Sequence, residues 1–170
     1  MNIIGIDPGA KGGAVSLDGT DSPLGQIFDQ AYRKRAGWDL RGTDAILGWL
    51  GVGKNSVAFI EKATPIFNPK THVASAAGAF SYGVGYGLLL GILAARGAVI
   101  HEVPPRTWQK AMGITAKQRP DREAQQRVLA GKLFPGVELR ASDRCRKPHM
   151  GIVAALLIAE YGRRTMGVGA

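Results

Sequence analysis

At 170 residues the chain has the length of one domain with a sizeable hydrophobic core. A formal net charge of +9 points to a polyanionic partner, and the single cysteine, Cys145, excludes an internal disulfide and fits a reducing compartment. No cationic-then-apolar leader is visible, and the longest apolar stretch, around Leu88 to Ala95, reads as too short to span a bilayer, so the expectation is a protein neither secreted nor membrane-bound.

The first element is the most informative. Ile3-Ile4-Gly5-Ile6 runs straight into Asp7, and Pro8-Gly9 follows as a turn. This pattern predicts a buried strand, Asn2–Asp7, that delivers a carboxylate to a sheet edge, with Gly13–Leu17 as the returning strand. A carboxylate at the end of a buried strand is costly without a cation or donors to face it. A third strand is expected over Gln26–Tyr32, centred on Ile27 and Phe28. The run Thr43–Leu50 predicts an amphipathic helix with Thr43 as its N-cap. Val57-Ala58-Phe59-Ile60-Glu61 repeats the opening motif: an apolar strand ending in an acid.

Ser75 to Arg96 is rich in small residues, and its later half, Tyr86–Arg96, reads as a helix apolar on every side and therefore buried. Ala98–Val103 is a fifth strand. Arg106–Met112, Arg122–Phe134 and Gly151–Arg164 read as helices, with a basic loop over Pro135–Pro148. The expected fold is α/β: a mixed five-stranded sheet with helices on both faces, in one domain over residues 1–170. Ligands of such sheets sit at strand C-terminal ends, where Asp7 and Glu61 both stand.

Two strand-borne acids suggest a divalent metal site, because Mg²⁺ takes oxygen ligands and is often held by one or two carboxylates plus phosphate oxygens and water. In a two-metal site, with the ions about 4 Å apart, one ion activates water and the other stabilises the leaving oxygen of a phosphodiester. Asp7 is placed to bridge and Glu61 to serve one ion. His149, at the start of the last helix, is a candidate for binding metal or orienting water. The blander alternatives are a turn-capping Asp7, a Glu61 salt bridge to Lys62 or to a strand neighbour, and a His149 that caps the helix or lies at the surface.

The positive charge is concentrated. Between Arg106 and Lys147 stand eleven Lys and Arg against four acids, seven of the net nine charges. Such a half suits phosphate contacts whose affinity falls with salt. Arg106, Lys110, Lys117 and Arg119 are the phosphate-contact candidates, and Trp108 is expected to pack its helix. Lys70 and His72 are candidates for touching base or phosphate. The segment Gly78–Gly87 interleaves aromatics with glycines, offering stacking platforms beside closely approachable backbone.

The sequence resembles RuvC-type Holliday junction resolvases, in particular the compact phage and chloroplast members, on the RNase H-like fold. The likeness covers nearly the whole chain. It rests on Ile4-Gly5-Ile6-Asp7-Pro8-Gly9 with Gly12-Gly13-Ala14, on Ile60-Glu61, on Phe80 to Gly87, on Val103 to Lys110, and on Ala155 to Gly162. It implies a homodimer that nicks opposed strands of four-way junction DNA symmetrically, using Mg²⁺ or Mn²⁺, in recombination and repair. It places Phe80, Tyr82 and Tyr86 beside the crossover. It implies the cytoplasm or nucleoid of a bacterium or phage-infected cell, or a plastid nucleoid.

One departure stands out. In that family the last helix brings a further acid directly before the Ala-Leu of its hydrophobic run, and here Ala154 holds that position. Met150 stands four residues earlier, on the same helix face. Three readings compete: an acid replaced by Ala, a natural variant relying on His149 and Glu61, or a protein that binds junctions without cutting. Glu160 lies too far along the helix to substitute. The chain as written is therefore expected to bind junctions and cut poorly. Rival readings are a non-catalytic branched-DNA-binding protein, a simple RNase H-like ribonuclease and an actin-like ATPase domain.

Overall fold

The computed structural model describes residues 1–9, 11–17, 23–28, 32–33, 37–62 and 76–167. Lys70 and His72 lie outside these residues, as does most of the loop that carries them. The strands are β1 (Asn2–Asp7), β2 (Gly13–Leu17), β3 (Leu24–Ile27), β4 (Tyr32–Arg33), β5 (Gly37–Trp38), β6 (Ser56–Glu61) and β7 (Val99–Val103). The helices are α1 (Leu40–Trp49), α2 (Ala76–Ala95), α3 (Pro105–Ala111), α4 (Arg119–Leu133) and α5 (Met150–Thr165).

Five strands form one mixed sheet in the order β3-β2-β1-β6-β7, and β4 pairs only with β5. β1 runs antiparallel to β2 and parallel to β6, and β6 runs parallel to β7. Period-two alternation divides the core in two. Ile3, Val57 and Phe59 face one side, where they pack with α5 and with Trp108 of α3; Ile4, Ile6, Ala58 and Ile60 face the other, where they pack with α1 and α2. Asp7 and Glu61 continue the first series, so the alternation that builds the core also sets both acids on the α3–α5 side.

α5 lies unusually close to the sheet. A Cβ on Gly5 would stand 2.0 Å from the Ala155 carbonyl oxygen, and one on Gly151 would stand 2.5 Å from the backbone of Gly12. Both glycines are needed for this contact. It fixes the first turns of α5 against the β1–β2 turn, beside Asp7.

The structure corrects several expectations. The third strand is Leu24–Ile27, not Gln26–Tyr32. Phe28 leaves the ladder to bury its ring completely, edge-on to Trp38 with centroids 5.7 Å apart. The first helix begins earlier, and its N-cap is Asp39, whose carboxylate accepts the Arg41 N–H at 3.0 Å. Thr43 is buried inside that helix and donates to the Asp39 carbonyl instead.

The largest difference is α2, which runs unbroken for 20 residues and is not buried all round. Within Tyr86–Arg96 the side chains of Leu89, Ile92 and Leu93 are buried, while Gly87, Gly91, Ala94 and Ala95 are exposed; in the turns before it Phe80 is 74% exposed and Val84 46%. One side of an isolated helix on a sheet stays free, whatever its composition. The stretch Gly78–Ala95 is also long and apolar enough to cross a membrane, with mean hydropathy 1.5 and 22% of it buried, against the expectation of too short a run. One such helix is weak evidence of a span, because a docking surface has the same composition.

Candidate active site

β1 and β6 are neighbours in register, Ile6 opposite Ile60, so Asp7 and Glu61 leave adjacent strand ends on the same face. They line a cavity of about 200 Å³ together with Trp108 and Gln109 of α3, Arg119, Arg122, Glu123 and Gln126 of α4, and Met150 and Ala154 of α5. A larger groove of about 560 Å³ between α1 and α2 is lined mainly by apolar and small residues and lies away from the carboxylates.

The two acids are held differently. Among the described residues Asp7 has one weak donor, the Gly9 N–H at 3.5 Å from Oδ1. Burial, with the charge of Glu61 next, pushes its carboxyl from an ordinary 3.8 up to about 7, against opposing contributions from Gly9 and Arg119. A bond that long makes turn-capping a poor account of Asp7. Glu61 is also pushed up by burial, moderated by a hydrogen bond from Trp108 and by the charge of Arg122. The Trp108 indole Nε1–H donates to Glu61 Oε2 at 2.7 Å, in place of the salt bridge to Lys62 considered from sequence.

Trp108 is thus more than the expected packing residue. It is 1% exposed, and the Pro104-Pro105 start of α3 aims its indole at the acid. Trp108→Phe keeps most of the ring volume and removes the donor. The expected cost is roughly 1.5–3 kcal/mol, the usual value of a hydrogen bond to a charged group, read as a lower melting temperature. The Glu61 carboxyl should rise further, moving any pH–rate profile of the protein toward higher pH.

Tyr82 of α2 lies outside the cavity wall and is 39% exposed, but it is near enough to feel both acids. Burial, followed by the charges of Asp7 and Glu61, pushes its phenol up to about 12, so it stays a neutral donor beside the acids. Phe80 is exposed on the same helix. Tyr86 donates to Glu102 of β7 at 2.5 Å, which engages its hydroxyl within the protein. Arg106, Lys110, Lys117 and Arg119 are all exposed, and of these Arg119 reaches the cavity.

His149 occupies the N-cap position of α5 without a side-chain cap, and its buried Nδ1 has no partner among the described residues. It is outside the cavity walls. Ala154 and Met150 are both in those walls, so α5 presents apolar groups where the family resemblance implies an acid. Glu160 is 1% exposed and bound by Arg163 at 2.6 Å and Arg164 at 2.8 Å. Burial would raise its carboxyl, but these two bonds outweigh burial and hold it below the usual range. It is a structural ion pair.

Sequence reasoning missed Arg122, Glu123 and Gln126. The i, i+4 spacing of Arg119 and Glu123 was visible, but only the packing of α4 shows which way that face points.

No family model matches the chain, and no curated protein matches it in sequence. Solved structures do. A Thermus thermophilus RuvC structure is similar over 98% of this chain and 97% of its own, with TM-score 0.53 and 16% identity. T. thermophilus RuvC in complex with Holliday junction substrate matches over the same shares, with TM-score 0.58 and 14% identity. The chain therefore has a RuvC-like α/β fold of the RNase H type, with Asp7 and Glu61 at the C-terminal ends of its two central parallel strands.

Proposed function

We propose that the chain is a metal-dependent endonuclease of branched DNA that binds four-way junctions as a homodimer and cuts them slowly. The observation that carries this reading is the pairing of Asp7 and Glu61 on adjacent strand ends, in one cavity with Arg119 and Arg122. Burial disfavours the ionised form of both carboxylates, a cation between them would relieve that, and an oxygen-only donor pair suits Mg²⁺ or Mn²⁺. The residues therefore fit one ion, which Asp7 and Glu61 would hold. Such an ion would supply a nucleophilic water at neutral pH and offset charge on the phosphate. A second ion would lack a ligand from α5, which is the reason to expect slow cutting.

The rest follows from the chain's own groups. Arg119 and Arg122 are placed to hold the phosphate beside the acids, and Trp108 keeps Glu61 oriented. Arg106, Lys110 and Lys117 extend the cationic surface along the backbone of the nucleic acid. Phe80 and Tyr82 offer stacking faces at the junction centre. The exposed apolar side of α2 is where a second copy would dock, and a two-fold dimer presents two sites to two opposed strands. The T. thermophilus RuvC complex with a Holliday junction substrate supports the choice of partner. A binding module without cleavage is the second reading, favoured by Met150 and Ala154 in the cavity.

The test is titration of an immobile four-way junction and of a matched duplex, with and without Mg²⁺. The expected result is a junction complex with two chains, weakened steeply by salt, and slow paired symmetric nicks that need Mg²⁺. Equal affinity for duplex sinks the junction reading. Cutting of an RNA–DNA hybrid in preference to the junction makes the chain a ribonuclease. Partition into lipid vesicles in place of dimerisation assigns α2 to a membrane.

A further inference from the structure

We infer that Gln126 of α4 holds the substrate phosphate through its side-chain amide, as a neutral contact beside Arg119 and Arg122. The inference deepens the proposed nuclease reading and rests on it. Gln126 lines the cavity of Asp7 and Glu61, and it is only 6% exposed.

Buried polar side chains are normally hydrogen-bonded, because leaving one unpaired is costly. Among the described residues the buried polar ones are Ser16, Thr43, Ser56, Gln126 and Glu160. Four of them are engaged. Ser16 donates to Asn2 Oδ1 at 2.7 Å, Thr43 to the Asp39 carbonyl at 2.7 Å and Ser56 to the Gly51 carbonyl at 3.1 Å. Glu160 accepts from Arg163 and Arg164. Gln126 is the exception: among the described residues nothing bonds its carboxamide.

Its helix does not depend on that amide, because the two adjacent residues do the anchoring. Gln125 Oε1 accepts the backbone N–H groups of Thr115 and Ala116 at 3.0 and 3.1 Å, which ties α4 to the loop before it. Arg127 Nη1 donates to Met150 Sδ at 3.4 Å, which ties α4 to the start of α5. Between them Gln126 lines the cavity, one turn beyond Arg122 and two beyond Arg119 on the same helix face. An amide there donates N–H to a phosphate oxygen and adds no charge. It neither repels the two guanidinium groups nor pairs with the carboxylates. A phosphate oxygen would supply the partner that the fold withholds.

The experiment is titration of an immobile four-way junction in Mg²⁺ across a salt series, with melting curves, on the whole parent protein and on Gln126→Met, Gln126→Glu and Arg122→Gln. Methionine keeps the length of the side chain and removes its hydrogen-bonding atoms. Gln126→Met should weaken the junction complex by roughly tenfold, as loss of a hydrogen bond to a charged group does. Its salt slope should match the parent's, because a neutral contact releases no counterions, whereas Arg122→Gln should flatten the slope by about one. Gln126→Glu should bind more weakly still, since it adds negative charge beside the phosphate. Gln126→Met should melt no lower than the parent, because an apolar group replaces a polar one that the fold leaves unpaired. Parent-like affinity in Gln126→Met, with Arg122→Gln impaired, overturns the role of Gln126 and leaves the phosphate site standing. A lower melting temperature in Gln126→Met, or its failure to fold, makes the amide a structural one and overturns the proposal. No junction bound by the parent, or parent-like binding in Arg122→Gln and Gln126→Met alike, overturns the nucleic-acid reading and Gln126 with it.

Discussion

Ala154→Asp is expected to raise Mg²⁺-dependent junction cleavage on the order of a hundred- to a thousandfold, since a further charged metal ligand is worth several kcal/mol in the transition state and each 1.36 kcal/mol is tenfold in rate. The position is suitable for structural reasons. Ala154 lies in the wall of the cavity that holds Asp7 and Glu61. The helix that carries it cannot drift, because Gly5 and Gly151 let α5 sit directly on β1 and on the β1–β2 turn. A carboxylate there would enter the site on a rigid element and, on the proposed metal reading, would give a second ion a ligand from α5.

The same change should weaken junction binding modestly, because it adds negative charge next to the phosphate. The measurement is the initial rate of paired nicking on an immobile junction, parent against variant, at saturating protein. Equal rates would remove position 154 from the mechanism and shift weight to His149, whose buried Nδ1 has no partner among the described residues. Tight binding by both without any nicking would leave a DNA-binding module.

How much of this was legible in the sequence depends on the period of the signal. Strand alternation is short and local, so Ile3 to Asp7 and Val57 to Glu61 announced two buried strands ending in acids, and the structure sets those ends side by side. The same-face pairing of residues 150 and 154 was likewise local. What failed was whatever tertiary packing decides. Apolar composition predicted a buried helix over Tyr86–Arg96; Leu89, Ile92 and Leu93 are buried there, yet only neighbours bury a helix, and the side carrying Gly87, Gly91, Ala94 and Ala95 stays exposed. Thr43 looked like a cap until Asp39 took the position. Trp108 read as packing because a sequence cannot show that its indole N–H points at Glu61. Glu123 was hidden within a strongly basic segment, where an acid reads as charge balance rather than as part of a site.

Asp7→Asn is expected to make the metal-free protein more stable while abolishing cleavage. Burial and the charge of Glu61 raise the Asp7 carboxyl from 3.8 to about 7 in the folded state. The favourable contribution of the protonated carboxyl is therefore complete below pH 3.8 and is lost as pH rises through about 7. At 1.36 kcal/mol per pH unit, ionised Asp7 costs the fold about 4 kcal/mol at pH 8, and Asn, which cannot ionise, escapes that cost. At roughly 2–4 °C per kcal/mol for a chain of this size, the variant should melt about 10 °C higher at pH 8, with the gap closing by pH 4. Saturating Mn²⁺ should narrow the gap, because the ion binds the ionised parent and stabilises it by mass action. The readout is a melting curve at each pH, with and without Mn²⁺. A gap that ignores pH, or a variant that melts lower at pH 8, would make Asp7 a structural acid that holds its own turn. A gap that opens between pH 4 and 7 and shrinks with metal would mark a carboxylate kept at a cost to stability, as a metal ligand would be.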